Sequence, residues 1–137
     1  MAGHPLAMAD GFPEAEIIGV EPDGADNFRQ SLVAGKRMRV ERPKSICDGL
    51  LSYDVGEHNW PILLRHLTAA VAIPDDVTRQ AMKWLYEKHG LRTEPSGAIT
   101  TAAVLSGAVK PADEGDIVLV VSGRNADETS FRDWIAM

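Results

Sequence analysis

The feature that most constrains this chain is the recurrence of short apolar runs, each cut off by proline or glycine, with helix-patterned stretches between them. Ile17–Val20 lies between Pro13 and Pro22, Ala70–Ile73 stops at Pro74, and Asp116–Val121 runs into Ser122-Gly123. Runs this short, without polar alternation, read as strands buried on both faces, which is the mark of parallel pairing. Parallel strands need long crossover connections, usually helical. The intervening stretches supply them. Ala25–Ala34 carries Phe28, Leu32 and Val33 on one side and stops at Gly35, and Asn59–Leu67 has Pro61 in its first turn. Asp76–His89 sets Val77, Ala81, Trp84 and Leu85 on an apolar face, with Asp75 as N-cap, Lys88 and His89 at the negative end and Gly90 as the stop. Ser96 reads as the cap of a further helix over 97–106, apolar nearly all round and therefore buried. The alternation predicts an α/β fold: a partial three-layer αβα arrangement with three or four mostly parallel strands.

The remaining segments are less regular. Leu6–Ala9 is helical in character and ends near Gly11, with nothing to cap its start. Met38–Val40 is a candidate short strand. Residues 41–56, rich in Gly, Pro, Ser and Asp, form a loop long enough to suggest a functional role. Thr129–Ile135 is a candidate terminal helix.

Charge and composition exclude several classes. The net charge of −6 argues against a nucleic-acid surface, and Lys36, Arg37 and Arg39 make too short a basic cluster to change that. No apolar run approaches the roughly 18–20 residues of a membrane span, and no basic-then-apolar leader opens the chain. Cys47 is the only cysteine, so no internal disulfide forms, which fits a reducing cytoplasm. His4, His58, His66 and His89 show no metal-ligand spacing.

Ligands of parallel sheets bind beyond the carboxyl ends of the strands. Three segments fall there. Ser122-Gly123 offers a hydroxyl for a ring nitrogen and a bare backbone for a flat ligand, or it is a plain strand-to-helix turn. Glu94-Pro95-Ser96-Gly97-Ala98 puts a carboxylate at a helix N-terminus, as a functional group or as helix-end electrostatics. Glu21 to Asn27 gathers a carboxylate, a backbone carbonyl and an amide oxygen, suited to a hard cation such as Mg²⁺ or Ca²⁺, or to an ordinary acidic turn.

In this order the segments resemble the serine racemase and threonine/serine dehydratase family, of the tryptophan-synthase β-like fold type II. The matching stretches are IIGVEPDGADNF at 17–28, SICDGL at 45–50, WPIL at 60–63, HGLRTEPSGA at 89–98 and IVLVVSGRN at 117–125, over about residues 3–127. The resemblance implies pyridoxal 5'-phosphate as cofactor. It implies that Ser122 hydrogen-bonds the pyridine nitrogen, that Gly123 and Asn125 follow it in the family's pattern, and that Glu94 stands near the ring. A neutral hydroxyl partner makes the ring a milder electron sink, which suits β-elimination. Gly49 matches the glycine of the family's ADG motif, with Cys47 in place of alanine. Arg124 replaces the usual second glycine, which puts the local backbone in question. Glu21 and the carbonyl of Ala25 match divalent-cation ligands, while Asn27 stands where Asp is usual, so that a cation there would bind more weakly.

The family also needs a lysine that binds the cofactor covalently, an asparagine and a glycine-rich phosphate loop, all from its N-terminal half. The five lysines here, Lys36, Lys44, Lys83, Lys88 and Lys110, lie outside that lysine motif. Residues 1–137 are therefore expected to be the C-terminal part of the large cofactor-binding domain, from a truncated or split enzyme that lacks the small domain. The expected activity of the whole is elimination from a small hydroxy-amino acid to a 2-oxo acid and ammonia, with no catalytic residue supplied by this chain. The expected partner is a complementary N-terminal chain or a further copy in a homo-oligomer. A racemase or a hydroxyectoine-pathway-type dehydratase is the runner-up within the family. A noncatalytic, self-associating fold remnant is the alternative outside it.

Overall fold

A computed structural model of the chain describes residues 2–111 and 115–136. In chain order its elements are α1 (Gly3–Gly11), β1 (Ile18–Pro22), α2 (Asn27–Ala34), α3 (Asn59–His66), β2 (Ala69–Ile73), α4 (Asp75–His89), α5 (Pro95–Leu105) and α6 (Glu128–Ile135), with 3₁₀ turns at Asp23–Ala25 and Asp48–Leu50. β1 and β2 pair in parallel, in register from Ile18 opposite Ala69 to Pro22 opposite Ile73. Successive strand residues point to opposite faces. Val20 and Val71 join the core built on α4 and α5 (Ala81, Met82, Leu85, Ile99, Ala102). Ala70 joins Phe28, Leu32 and Leu63 of α2 and α3 on the other face. Helices thus cover both faces of the sheet, as the apolar runs require, and the α/β class is as expected.

The strand count is lower than expected. Among the described residues the sheet has two strands, and Asp116–Val121 forms none. That segment lies beside α5, where the Thr100 hydroxyl donates to the Val120 carbonyl at 3.1 Å. A cavity of about 290 Å³ separates it from β1, lined by Ile17, Ile18 and Val20 on one side and Ile117, Val118 and Leu119 on the other. A ladder needs a backbone within about 4.8 Å; β-propensity cannot provide one. Val118 is left 83% exposed. Met38–Val40 is likewise no strand: its ladder contact among the described residues is an isolated antiparallel bridge between Arg39 and Asp54, with Val40 N–H donating to the Tyr53 carbonyl at 2.8 Å.

Two expected caps have other work. Asp75 lies inside α4, whose N-cap is Pro74. Its carboxylate accepts from the Ser45 hydroxyl at 2.5 Å and the Ile46 N–H at 3.1 Å, so it ties the 41–56 loop to the helix. Ser96 lies in the first turn of α5, whose N-cap is Glu94 with no side-chain cap bond. Its hydroxyl accepts from the Gly49 N–H at 3.2 Å instead. The helix stops at Gly35 and Gly90 occur where expected, both left-handed. α1 has no side-chain cap, as its sequence implies.

α5 is the central buried element. Pro95, Gly97, Ala98, Ile99, Thr101, Ala102 and Ala103 are all buried. Their small side chains let α4 and the 122–123 backbone come close. A Cβ placed on Gly97 would overlap the Ser122 carbonyl oxygen, so this position has no room for any other residue. Cys47 packs in the same core, fully buried, and burial pushes its thiol up to about 11, which leaves it protonated and unreactive at neutral pH.

Gly97→Ala should therefore lower the unfolding free energy by about 3 kcal/mol or more, read from urea unfolding midpoints. A wild-type midpoint would mean that the Ser122 backbone gives way freely. Iodoacetamide should label Cys47 only after unfolding. Labelling of the native chain at the rate of a free thiol would contradict its burial.

Candidate functional site

The first turn of α5, the Asp48–Leu50 turn and the 120–125 segment meet beside β1, along Ile17–Val20. A cavity of about 450 Å³ opens there, and its wall includes Gly19, Val20, Gly49, Leu50, Ser96, Ile99, Thr100, Val120 and Ser122. The local chain explains each placement. Ser45 and Ile46, bound to Asp75, carry the loop back across the sheet end and deliver Gly49 to Ser96. Ser96 and Thr100 sit four residues apart on α5 and so share one helix face.

Glu94, Gly123 and Asn125 form a second, interlocked unit. Glu94 N–H donates to the Gly123 carbonyl at 3.2 Å, and Asn125 N–H donates to Glu94 Oε2 at 3.0 Å. Gly123 has φ of 73°. A Cβ there would overlap the Glu94 carboxylate, so glycine is required on both backbone and steric grounds. Arg124 needs no glycine: no non-glycine residue among those described has positive φ. It flanks a separate cavity of about 250 Å³ with Gly90, Leu91, Arg92 and Thr93, and so leaves the Ser122 cavity unobstructed.

Of the five residues singled out for a cofactor, Gly49 and Ser122 line the cavity. Glu94, Gly123 and Asn125 do not line it; they form the hydrogen-bonded turn that carries Ser122. The Ser122 hydroxyl has no hydrogen bond among the described residues and is free to meet an incoming acceptor or donor. The reading of the sequence missed Ser96 and Thr100 as members of the site. Their i,i+4 spacing on an otherwise apolar helix was the available signal.

The cavity suits a planar aromatic ring. It offers apolar walls (Leu50, Ile99, Val120), a side-chain-free approach at Gly49 and one unpaired hydroxyl, the usual makeup of a small-molecule site. No Lys or Arg lines it, so these residues account for a ring and leave a phosphate to be held by other groups.

The second constellation is engaged with protein groups. Glu21, 8% exposed, spends both carboxylate oxygens on the start of α2: Oε1 accepts from Phe28 N–H at 3.0 Å and Oε2 from Arg29 N–H at 2.8 Å. Burial pushes its carboxyl above the usual range, against the pull of those two amides. Asn27 turns its N–H donors toward the Ser52 carbonyl and hydroxyl, at 2.9 and 3.0 Å. Cation ligands must present lone pairs. Ala25 is fully buried in the 3₁₀ turn between them. No group of three or more His, Cys, Asp or Glu among the described residues is placed to hold a metal. The expected divalent-cation site at Glu21, Ala25 and Asn27 is thus unsupported, and its residues form a helix-capping and loop-binding unit instead.

No helix among the described residues is long and apolar enough to cross a membrane. The sequence model of the family described as "Pyridoxal-phosphate dependent enzyme" matches residues 1–123. The phenylserine dehydratase of Ralstonia pickettii is 30% identical over 131 residues, which cover 96% of this chain and 40% of that protein. The serine racemase of Arabidopsis thaliana is 37% identical, over 97% of this chain and 41% of the relative. Among solved structures, the serine racemase of maize superposes with a TM-score of 0.88 at 32% identity, over 98% of this chain and 42% of that one. A threonine deaminase from T.th. superposes with a TM-score of 0.85 at 33% identity, over 92% of this chain and 46% of that one. The chain therefore spans about two fifths of the length of the curated relatives it matches. An α/β core with helices on both faces of a parallel sheet, a ring-sized cavity beside β1 and a match that runs through Ser122 and Gly123 lead to one conclusion: the chain belongs to the pyridoxal-phosphate-dependent enzyme family, of fold type II.

Proposed function

We propose that this chain is the ring-binding, C-terminal part of the large domain of a pyridoxal-phosphate-dependent ammonia-lyase that acts on a small hydroxy-amino acid such as serine or threonine. The observation that carries this reading is the unpaired Ser122 hydroxyl on the wall of a cavity otherwise formed largely by glycine and apolar side chains. The names of the relatives agree with it in kind: a phenylserine dehydratase, serine racemases and a threonine deaminase.

Each residue then has a definite task. Ser122 donates to, or accepts from, the ring nitrogen, and as a neutral partner it leaves that nitrogen without the stabilising charge a carboxylate would give. Gly49 admits the ring face. Ser96 holds the Gly49 backbone at 3.2 Å, and Glu94 holds the Asn125 amide and the Gly123 carbonyl, so that Ser122 keeps its orientation. Ile99, Leu50 and Val120 exclude water from the ring. The bound cofactor supplies the electron sink for loss of the α-proton and the β-hydroxyl, giving a 2-oxo acid and ammonia. None of the chain's five lysines lines this cavity. The covalent lysine and the phosphate loop are proposed to come from the N-terminal part of the enzyme, and the chain alone is proposed to be inactive.

One observation favours a second reading. Ile117, Val118, Val120 and Val121 form an exposed apolar row, and such a row also promotes association of a noncatalytic module with its own copies.

The deciding test mixes this chain with the N-terminal part of the Ralstonia pickettii phenylserine dehydratase, the portion it does not span. Cofactor absorbance and 2-oxo-acid release from serine, threonine and phenylserine are then followed. Cofactor capture and product in the mixture only are expected. Assembly without either result would leave the self-associating module in front, and activity of the chain alone would overturn the assignment of the lysine to another segment. In the active mixture, Ser122→Ala should weaken cofactor affinity by about 3- to 10-fold, the value of one neutral hydrogen bond. Affinity left unchanged would remove Ser122 from the site.

A further inference from the structure

We propose that this chain holds its Ser52–Gly56 loop to α2 without a metal ion, with Asn27, Arg37 and Arg39 supplying the positive ends that a divalent cation would otherwise supply. The proposal is independent of the cofactor reading, because it concerns a cavity that shares no lining residue with the one at Ser122.

A cavity of about 220 Å³ lies there, bounded by Glu21, Asn27, Ser52, Asp54, Val55 and Asn59 among others. Its acidic walls invite a cation, yet both carboxylates and the Ser52 and Val55 carbonyls on them already face donors. Glu21 takes the Phe28 and Arg29 amides at the positive end of α2. Asp54 takes Arg39 Nη1 at 3.3 Å and Arg37 Nη2 at 3.6 Å. The Val55 carbonyl takes Arg37 Nε at 2.7 Å. The Ser52 carbonyl and hydroxyl take the two bonds from Asn27, which is 2% exposed. The charges balance as well: two carboxylates against two guanidiniums.

Asn27 is the decisive residue. An amide donates to the Ser52 carbonyl. A carboxylate at position 27 would set two acceptors against each other in a buried site, and that pair needs a cation between them or suffers repulsion. The chain's departure from Asp at this position thus replaces an ion by two N–H bonds.

The test uses the chain itself. Thermal unfolding is followed with EDTA and then with millimolar Mg²⁺, Ca²⁺ or Mn²⁺, and Tb³⁺ luminescence sensitised by Trp60 reports direct binding. Trp60 packs edge-on against Phe28 with ring centroids 6.1 Å apart, and the Phe28 amide binds Glu21. The wild-type midpoint is expected to be the same in EDTA and in every cation, with no sensitised Tb³⁺ emission. Asn27→Asp should lower the midpoint by roughly 4 °C or more in EDTA, recover it with Ca²⁺ or Mg²⁺, and give Tb³⁺ emission. Asn27→Ala should lose stability with no cation response. A saturable cation-induced rise in the wild-type midpoint, abolished by Glu21→Gln, would overturn the proposal. So would an Asn27→Asp chain as stable in EDTA as the wild type. If Asn27→Asp does not fold, the wild-type titration alone decides between the two outcomes.

Discussion

The candidate site hangs on one contact, the approach of the first turn of α5 to the Ser122–Gly123 backbone. Gly97 touches the Ser122 carbonyl, and the Glu94 carboxylate lies on Gly123. Neither place admits a side chain. The two glycines and one carboxylate together fix where the Ser122 hydroxyl stands, and they do so by exclusion of volume, which tolerates little adjustment in a close-packed interior. The buried, small-residue face of α5 serves the same end, because it lets α4, the sheet and the 122–125 turn all reach one helix.

The long loop after α2 depends on side chains far away in sequence. Asp75 draws in Ser45 and Ile46, Ser96 takes the Gly49 amide, and Asn27 and Arg37 hold Ser52 and Val55. A loop with almost no regular structure of its own is thereby made part of the scaffold, and Gly49 is brought to the cavity. Asp75, Ser96 and Asn27, which sequence patterns assign to helix caps or to an ion, turn out to be spent on this loop. A buried carboxylate or amide seeks the nearest unpaired backbone group; which group that is depends on the packing of the whole chain.

The apolar row at 117–121 and the unpaired edge of β1 face each other across a gap that neither segment closes. An exposed edge of this kind is open to pairing with another strand. It stands beside the candidate cofactor cavity, so whatever completes the sheet also shapes the site.

Much of this was legible in the sequence. The strands at Ile18–Pro22 and Ala69–Ile73, the helices α2 to α6 within a residue or two and the stops at Gly35 and Gly90 all follow from local apolar period, proline and glycine. These signals act over a few residues, and so they survive without knowledge of the fold. The ordered motifs around Glu21, Gly49, Glu94 and Ser122 also placed the chain in its family. What only the tertiary structure decided was the partner of each polar or extended group. Asp116–Val121 has the composition of a strand but finds no backbone to pair with. Asp75 and Ser96 look like caps but bind the distant loop, and Glu21 and Asn27 look like ion ligands but bind amides and a carbonyl. Composition sets what a segment can do. Hydrogen bonds and ladders, however, are made between residues 25 to 51 positions apart, and that proximity is created only when the chain packs.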